Sequence, residues 1–137
     1  MSLILRAAAG LVFIFAGLEK VLLGTTPVVT YFRDLALPWP EVLGPAVGWL
    51  EVFGGLALVA GVLTRAVAAL FVAEMLVALA VARLPSALAA RSVADAVVSI
   101  RLELLLVATC ACLVLAGAGR WSVDAAARHR GSLASRQ

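Results

Sequence analysis

The chain has 137 residues, 64% of them hydrophobic and 14% charged, with a formal net charge of +3. A soluble domain of this size cannot hide so much apolar surface, because its surface-to-volume ratio is too high. A mean hydropathy of +1.11 therefore points to one integral membrane domain, and the pI near 9.5 fits a basic edge against anionic headgroups rather than nucleic acid.

In chain order, four apolar segments satisfy the length of a bilayer-spanning helix: Leu3 to Leu23, Gly44 to Leu63, Ala66 to Ala82 and Ser99 to Gly117. The first is too long for the core of a signal peptide and shows no convincing cleavage site near Gly24, so it reads as an uncleaved helix. The stretch after it, "TTPVVTYFRDLALPWPE", mixes apolar residues with Tyr31, Trp39 and three prolines. It reads either as a short segment lying in the membrane interface or as an irregular loop clipped down by Trp39. Helices 2 and 3 are joined by little more than Thr64 and Arg65, which forces an antiparallel hairpin.

Four helices put both termini on one side. The last stretch carries Arg120, Arg128, Arg130 and Arg136, and the short hairpin carries Arg65. The positive-inside rule then predicts an N-in, C-in topology, with residues 1–124 as the membrane domain and 125–137 as a basic cytoplasmic tail. The expected fold is an all-α bundle of four transmembrane helices with a short interfacial segment after helix 1.

Charge falls on particular stripes of these helices. On helix 1, Arg6, Gly10, Phe13, Gly17 and Lys20 follow steps of four, three, four and three. Fourteen residues at about 100° each place Arg6 and Lys20 within roughly 40° of one another around the axis, about 21 Å apart along it. Glu51, Gly55, Leu58, Val62 and Arg65 repeat the spacing on helix 2, and Glu103, Cys110 and Gly117 share a face of helix 4. Small residues let helices approach, and intramembrane charges face the bundle interior, so both signals predict the same buried side.

Glu51 poses the sharpest question, because an acid near the centre of a membrane helix costs about 2.5 to 3.5 kcal/mol on insertion scales. Lys20 and Glu103 lie about one turn inside their helices, and Glu51 lies roughly 10 Å below Gly44. A Lys20–Glu51–Glu103 cluster follows, which Arg101, one turn away, could join. It is either a structural register-setter or a site that binds a quinone headgroup or passes protons. Glu74, in the middle of helix 3, has no charged neighbour on its own helix. Three readings stay open for it: protonation, an approach by Arg6, or a position facing a partner subunit.

These residues resemble a family. "RAAAGLVFIFAGLEK", then "LEVFGGLALVAGVLTR", then an acid opening the last helix, then "GAGRWSVD" look like the DoxX family of small four-helix membrane proteins, from about Arg6 to Asp124. Arg6, Gly17, Lys20, Glu51, Gly55, Gly61, Arg65, Glu103, Gly119, Ser122 and Asp124 match family positions, whereas Glu74 and the cysteines do not. The resemblance implies a multi-pass protein of a bacterial inner membrane. It further implies a membrane subunit of quinone-coupled oxidation of sulfur compounds or of another oxidoreductase assembly, with a quinone as the one cofactor in view.

Other features read more simply. Cys110 and Cys112 sit about 200° apart on a helix, cannot bridge, and read as small buried residues. His129 is the only histidine, which leaves no haem-ligating pair and no clustered metal set. "GAGRWS" lacks the last glycine and the βαβ context of a dinucleotide loop. Gly117 and Gly119 are expected to end helix 4, and Asp124 to cap a short helix "AAARHR". With no nucleophile–base pair or phosphate loop, an autonomous enzyme is not expected. Three roles remain: a subunit of an electron-transfer assembly, a non-catalytic anchor or organiser for a redox or envelope protein partner, and a small transporter or proton path using Glu51 and Glu74; partner subunits or a homo-oligomer are expected.

Overall fold

A computed structural model describes residues 2–22, 25–119 and 122–125 of the chain. Among them every regular element is helical: α1 (Ser2–Leu22), α2 (Thr25–Asp34), α3 (Pro40–Ala60), α4 (Thr64–Ala78), a π-helical turn (Leu79–Arg83), α5 (Leu84–Leu88) and α6 (Val93–Ala116). Four continuous spans, Ser2–Leu22, Pro40–Ala60, Thr64–Leu88 and Val93–Ala116, are long and apolar enough to cross a membrane.

The spans differ from the sequence expectation mainly at their ends. The second starts at Pro40, whose fixed φ suits the first helical turn, and stops at Gly61 in the left-handed region (φ 74°). The third runs through the π turn to Leu88 instead of ending near Ala82. The fourth begins at Val93, where the Ser92 hydroxyl accepts a hydrogen bond from the Asp95 N–H at 3.1 Å. The segment after α1 is a helix, not an irregular loop, and Trp39 is 78% exposed rather than clipped onto the bundle. Arg33 and Glu41 form a pair at 2.6 Å between α2 and the start of α3. Both side chains are over 60% exposed, so the pair adds little stability.

The bundle is built from two tight pairs, α1 with α3 and α4 with α6. Glycines set the first pair. A Cβ on Gly17 would lie 2.5 Å from the Gly48 carbonyl oxygen, and one on Gly10 would lie 2.7 Å from that of Gly55. Only residues without a side chain permit that approach. The two pairs meet at Phe13 and Phe71, whose rings stack with centroids 3.6 Å apart and planes 6° from parallel. Leu58, Ala68, Cys110 and Leu113 complete a fully buried core around them. Large apolar side chains such as Phe15, Phe53 and Leu105 point outward, which is where a bilayer supplies the solvent.

Candidate functional site

The end of the bundle that carries α2 also collects the charges. Lys20 donates a hydrogen bond to Glu51, forming an ion pair in which the acid is 3% exposed and the lysine 27%. The pairing follows from helix geometry. Side chains lean toward the N-terminus of their own helix. In the antiparallel α1–α3 pair, Lys20 and Glu51 therefore lean toward each other at the level of the Gly17–Gly48 crossing. The stripe expected on helix 2 holds for the buried Glu51, Gly55 and Leu58. It fails at Val62 and Arg65, both exposed, because the helix ends at Gly61.

Glu103 is buried, as its stripe with Cys110 and Gly117 requires. Its partner is Arg83, whose Nε donates to Oε1 at 2.6 Å. Arg101 does not join: it is exposed, because two residues of α6 place it about 200° from Glu103. Arg83 was not among the sequence candidates, and the π turn explains why. Nine residues of regular helix would put Arg83 about 180° from Glu74. The extra residue in the π turn sets everything beyond it back by about 100°, bringing Arg83 toward the Glu74 side.

Glu74 faces the same cavity as Glu51. Its Oε2 is buried without a partner among the described residues. This settles part of the earlier ambiguity: Arg6 does not approach it, being held at the opposite end of the bundle. Lys20, Glu51, Glu74, Arg83 and Glu103 all line one cavity of about 740 Å³, which lies beneath α2. The remaining wall is mostly apolar, with Phe13 at its floor and Tyr31 and Phe32 of α2 across its top. A mainly apolar cavity with a few polar groups at one end is the usual form of a small-molecule site.

The opposite end holds Arg6, Arg65 and Asp124 in a separate, structural arrangement. Arg6 is 1% exposed, and its Nη1 donates to the Ala118 carbonyl at 2.6 Å. An Arg65 Nη2 donates to the Leu115 carbonyl in the last turn of α6 at 3.3 Å, whereas the Arg6 bond goes to Ala118, two residues past the end of that helix. Gly117 and Gly119 end that helix with φ of 73° and 74°. Asp124 makes a contact across the chain that its place beside "AAARHR" did not announce. Its carboxylate accepts from the N–H groups of Leu63 at 2.8 Å and Thr64 at 3.0 Å, capping α4 from across the chain. Ser122 accepts from the Ala125 N–H at 3.1 Å. His129 and most of "AAARHR" lie outside the described residues. Cys110 is buried, but Cys112 is exposed, because the helix turns it to the outer face.

A protein-family model, DoxX, matches residues 1–84, which covers α1 through Arg83 and Leu84. No curated protein and no solved structure matches the chain.

Proposed function

The chain belongs to the DoxX family and is an integral membrane protein; on that footing we propose that it is the membrane subunit of an electron-transfer assembly and holds a quinone headgroup in the cavity beneath α2. The cavity itself carries this reading. It joins a wall of apolar side chains to a polar end made by Lys20, Glu51, Glu74, Arg83 and Glu103, and so matches a ring with polar oxygens on an apolar tail. Intramembrane ionisable groups are costly and mark ligand or proton sites more often than not. The assembly sits in a bacterial inner membrane with the arginine-rich tail in the cytoplasm, a placement supported by the four arginines beyond Gly119. In this reading the partner is a redox protein that supplies the electrons.

Glu51→Gln tests the reading. Glutamine keeps shape and hydrogen bonds, whereas proton-coupled chemistry needs a titratable group. The variant is expected to insert, retain its partners and keep its thermal midpoint in detergent. Quinone-dependent turnover of the assembly is expected to fall about tenfold or more, a barrier increase of about 1.4 kcal/mol. Glu74→Gln, which leaves the Lys20–Glu51 pair in place, is expected to have a smaller effect. Full turnover in a stably assembled Glu51→Gln variant would favour a non-catalytic anchor.

A further inference from the structure

The cavity is not closed on all sides. Val12 on α1 and Leu70 and Val77 on α4 line it, yet they are 38%, 47% and 56% exposed. Ala16 and Ala73, both small, sit between them on the same two helices. Helices α1 and α4 are not a packed pair, since α1 lies on α3 and α4 on α6, and the Phe13–Phe71 stack bridges them below. The gap therefore faces the hydrocarbon at mid-helix, whereas α2 lies across the cavity's other end with Val28, Tyr31 and Phe32.

The polar end has a definite hydrogen-bonding character. Each cation is held by a more deeply buried acid: Lys20 (27% exposed) by Glu51 (3%), and Arg83 (45%) by Glu103 (9%). An ammonium has three N–H donors and a guanidinium five. One bond from each goes to its acid, so both cations retain donors on a cavity that both line. The pairs are electrically balanced, and Glu74 and Glu19 add only acid to the lining. No surplus positive charge is present for a dianionic headgroup. The arrangement suits a neutral group bearing acceptor oxygens.

We propose that the cavity is filled sideways from the bilayer, through the gap between α1 and α4, by a neutral prenylated ring whose carbonyl oxygens accept hydrogen bonds from Lys20 and Arg83. This rests on the quinone reading above and adds the route, the tail position and the second donor. The tail leaves past Val12, Ala16, Leu70, Ala73 and Val77, so it stays in hydrocarbon throughout. Arg83 reaches its place only because the π turn resets the helix, and such turns recur at functional sites.

The test uses the full chain in phosphatidylcholine nanodiscs, titrated with a prenylated benzoquinone, with the same ring lacking its tail, and with inorganic phosphate as competitor. Wild type is expected to bind both rings and to be indifferent to phosphate. Ala73→Trp fills the gap from an exposed position that leaves the core untouched. It is expected to weaken the prenylated ring tenfold or more while sparing the tail-less ring; Ala16→Trp approaches the gap from the other helix. Arg83→Met combined with Glu103→Gln removes both charges, so no acid is stranded. It is expected to weaken both rings tenfold or more with an unchanged thermal midpoint. Prenylated-ring affinity unchanged in both tryptophan variants would overturn the side entrance, and unchanged affinity in the Arg83/Glu103 variant would overturn the second donor. Displacement by phosphate would contradict a neutral ligand. Binding by wild type with indifferent variants leaves the quinone reading standing and removes this one; a wild type that binds neither ring removes both.

Discussion

Lys20→Met is expected to destabilise the bundle by about 3 to 5 kcal/mol, the usual cost of stranding one member of a buried ion pair. The asymmetry of the pair makes lysine the damaging side to remove. Glu51 is 3% exposed and wedged at the α1–α3 crossing, with the acidic Glu74 on the same cavity. Without Lys20 it keeps its desolvation cost and loses the cation that offset it. Lys20, at 27% exposed, has the opposite freedom: its long side chain can extend toward the headgroups when Glu51 becomes glutamine. Adding Glu51→Gln to Lys20→Met should therefore recover much of the loss. The full double-mutant cycle, read as unfolding free energies in a mixed detergent, should show strong coupling. Additive single effects would mean that the two side chains do not interact.

Gly17→Leu is expected to cost about 3 kcal/mol, at the upper part of the range for overpacking. A Cβ at position 17 would lie 2.5 Å from the Gly48 carbonyl oxygen and 2.8 Å from the Val52 backbone nitrogen. Those are backbone atoms of α3, so no rotamer change relieves the clash and the helices must part. Parting them also pulls Lys20 from Glu51, which meet at the same level. Ala8→Leu provides the control, because Ala8 is exposed on the outer face of the same helix. Its thermal midpoint should match wild type. An equally small shift for Gly17→Leu would show that the close crossing does not hold the bundle together.

Much of this architecture was legible in the residues because a bilayer simplifies the problem. Length and apolar content define the spans, and the coincidence of glycine with charge on α1 marks the face toward α3. Lys20 with Glu51 followed from that face alone. Errors arose where position depends on something other than helical periodicity. Arg83 falls just past Ala82, the expected end of the third span, since a π turn leaves no clear mark in a run of leucine, valine and alanine and changes the angle of everything after it. Arg101 was attractive for its charge, but its angle relative to Glu103 turns it outward. Asp124 also reaches the first turn of α4, about 60 residues away in sequence, a long-range contact that no local pattern announces. Glu74 could not be assigned from one helix, because the cavity it faces is lined by several.

The most direct test of the account is the composition of the protein as it leaves the membrane. Mild extraction and affinity purification of the full chain, followed by solvent extraction of bound lipids and identification of co-purifying proteins, reads both halves of the proposal at once. The account predicts prenylated quinone retained in a fixed ratio to the chain, reduced by Ala73→Trp, together with a redox protein. A stably folded preparation that carries no quinone and no redox partner would contradict it.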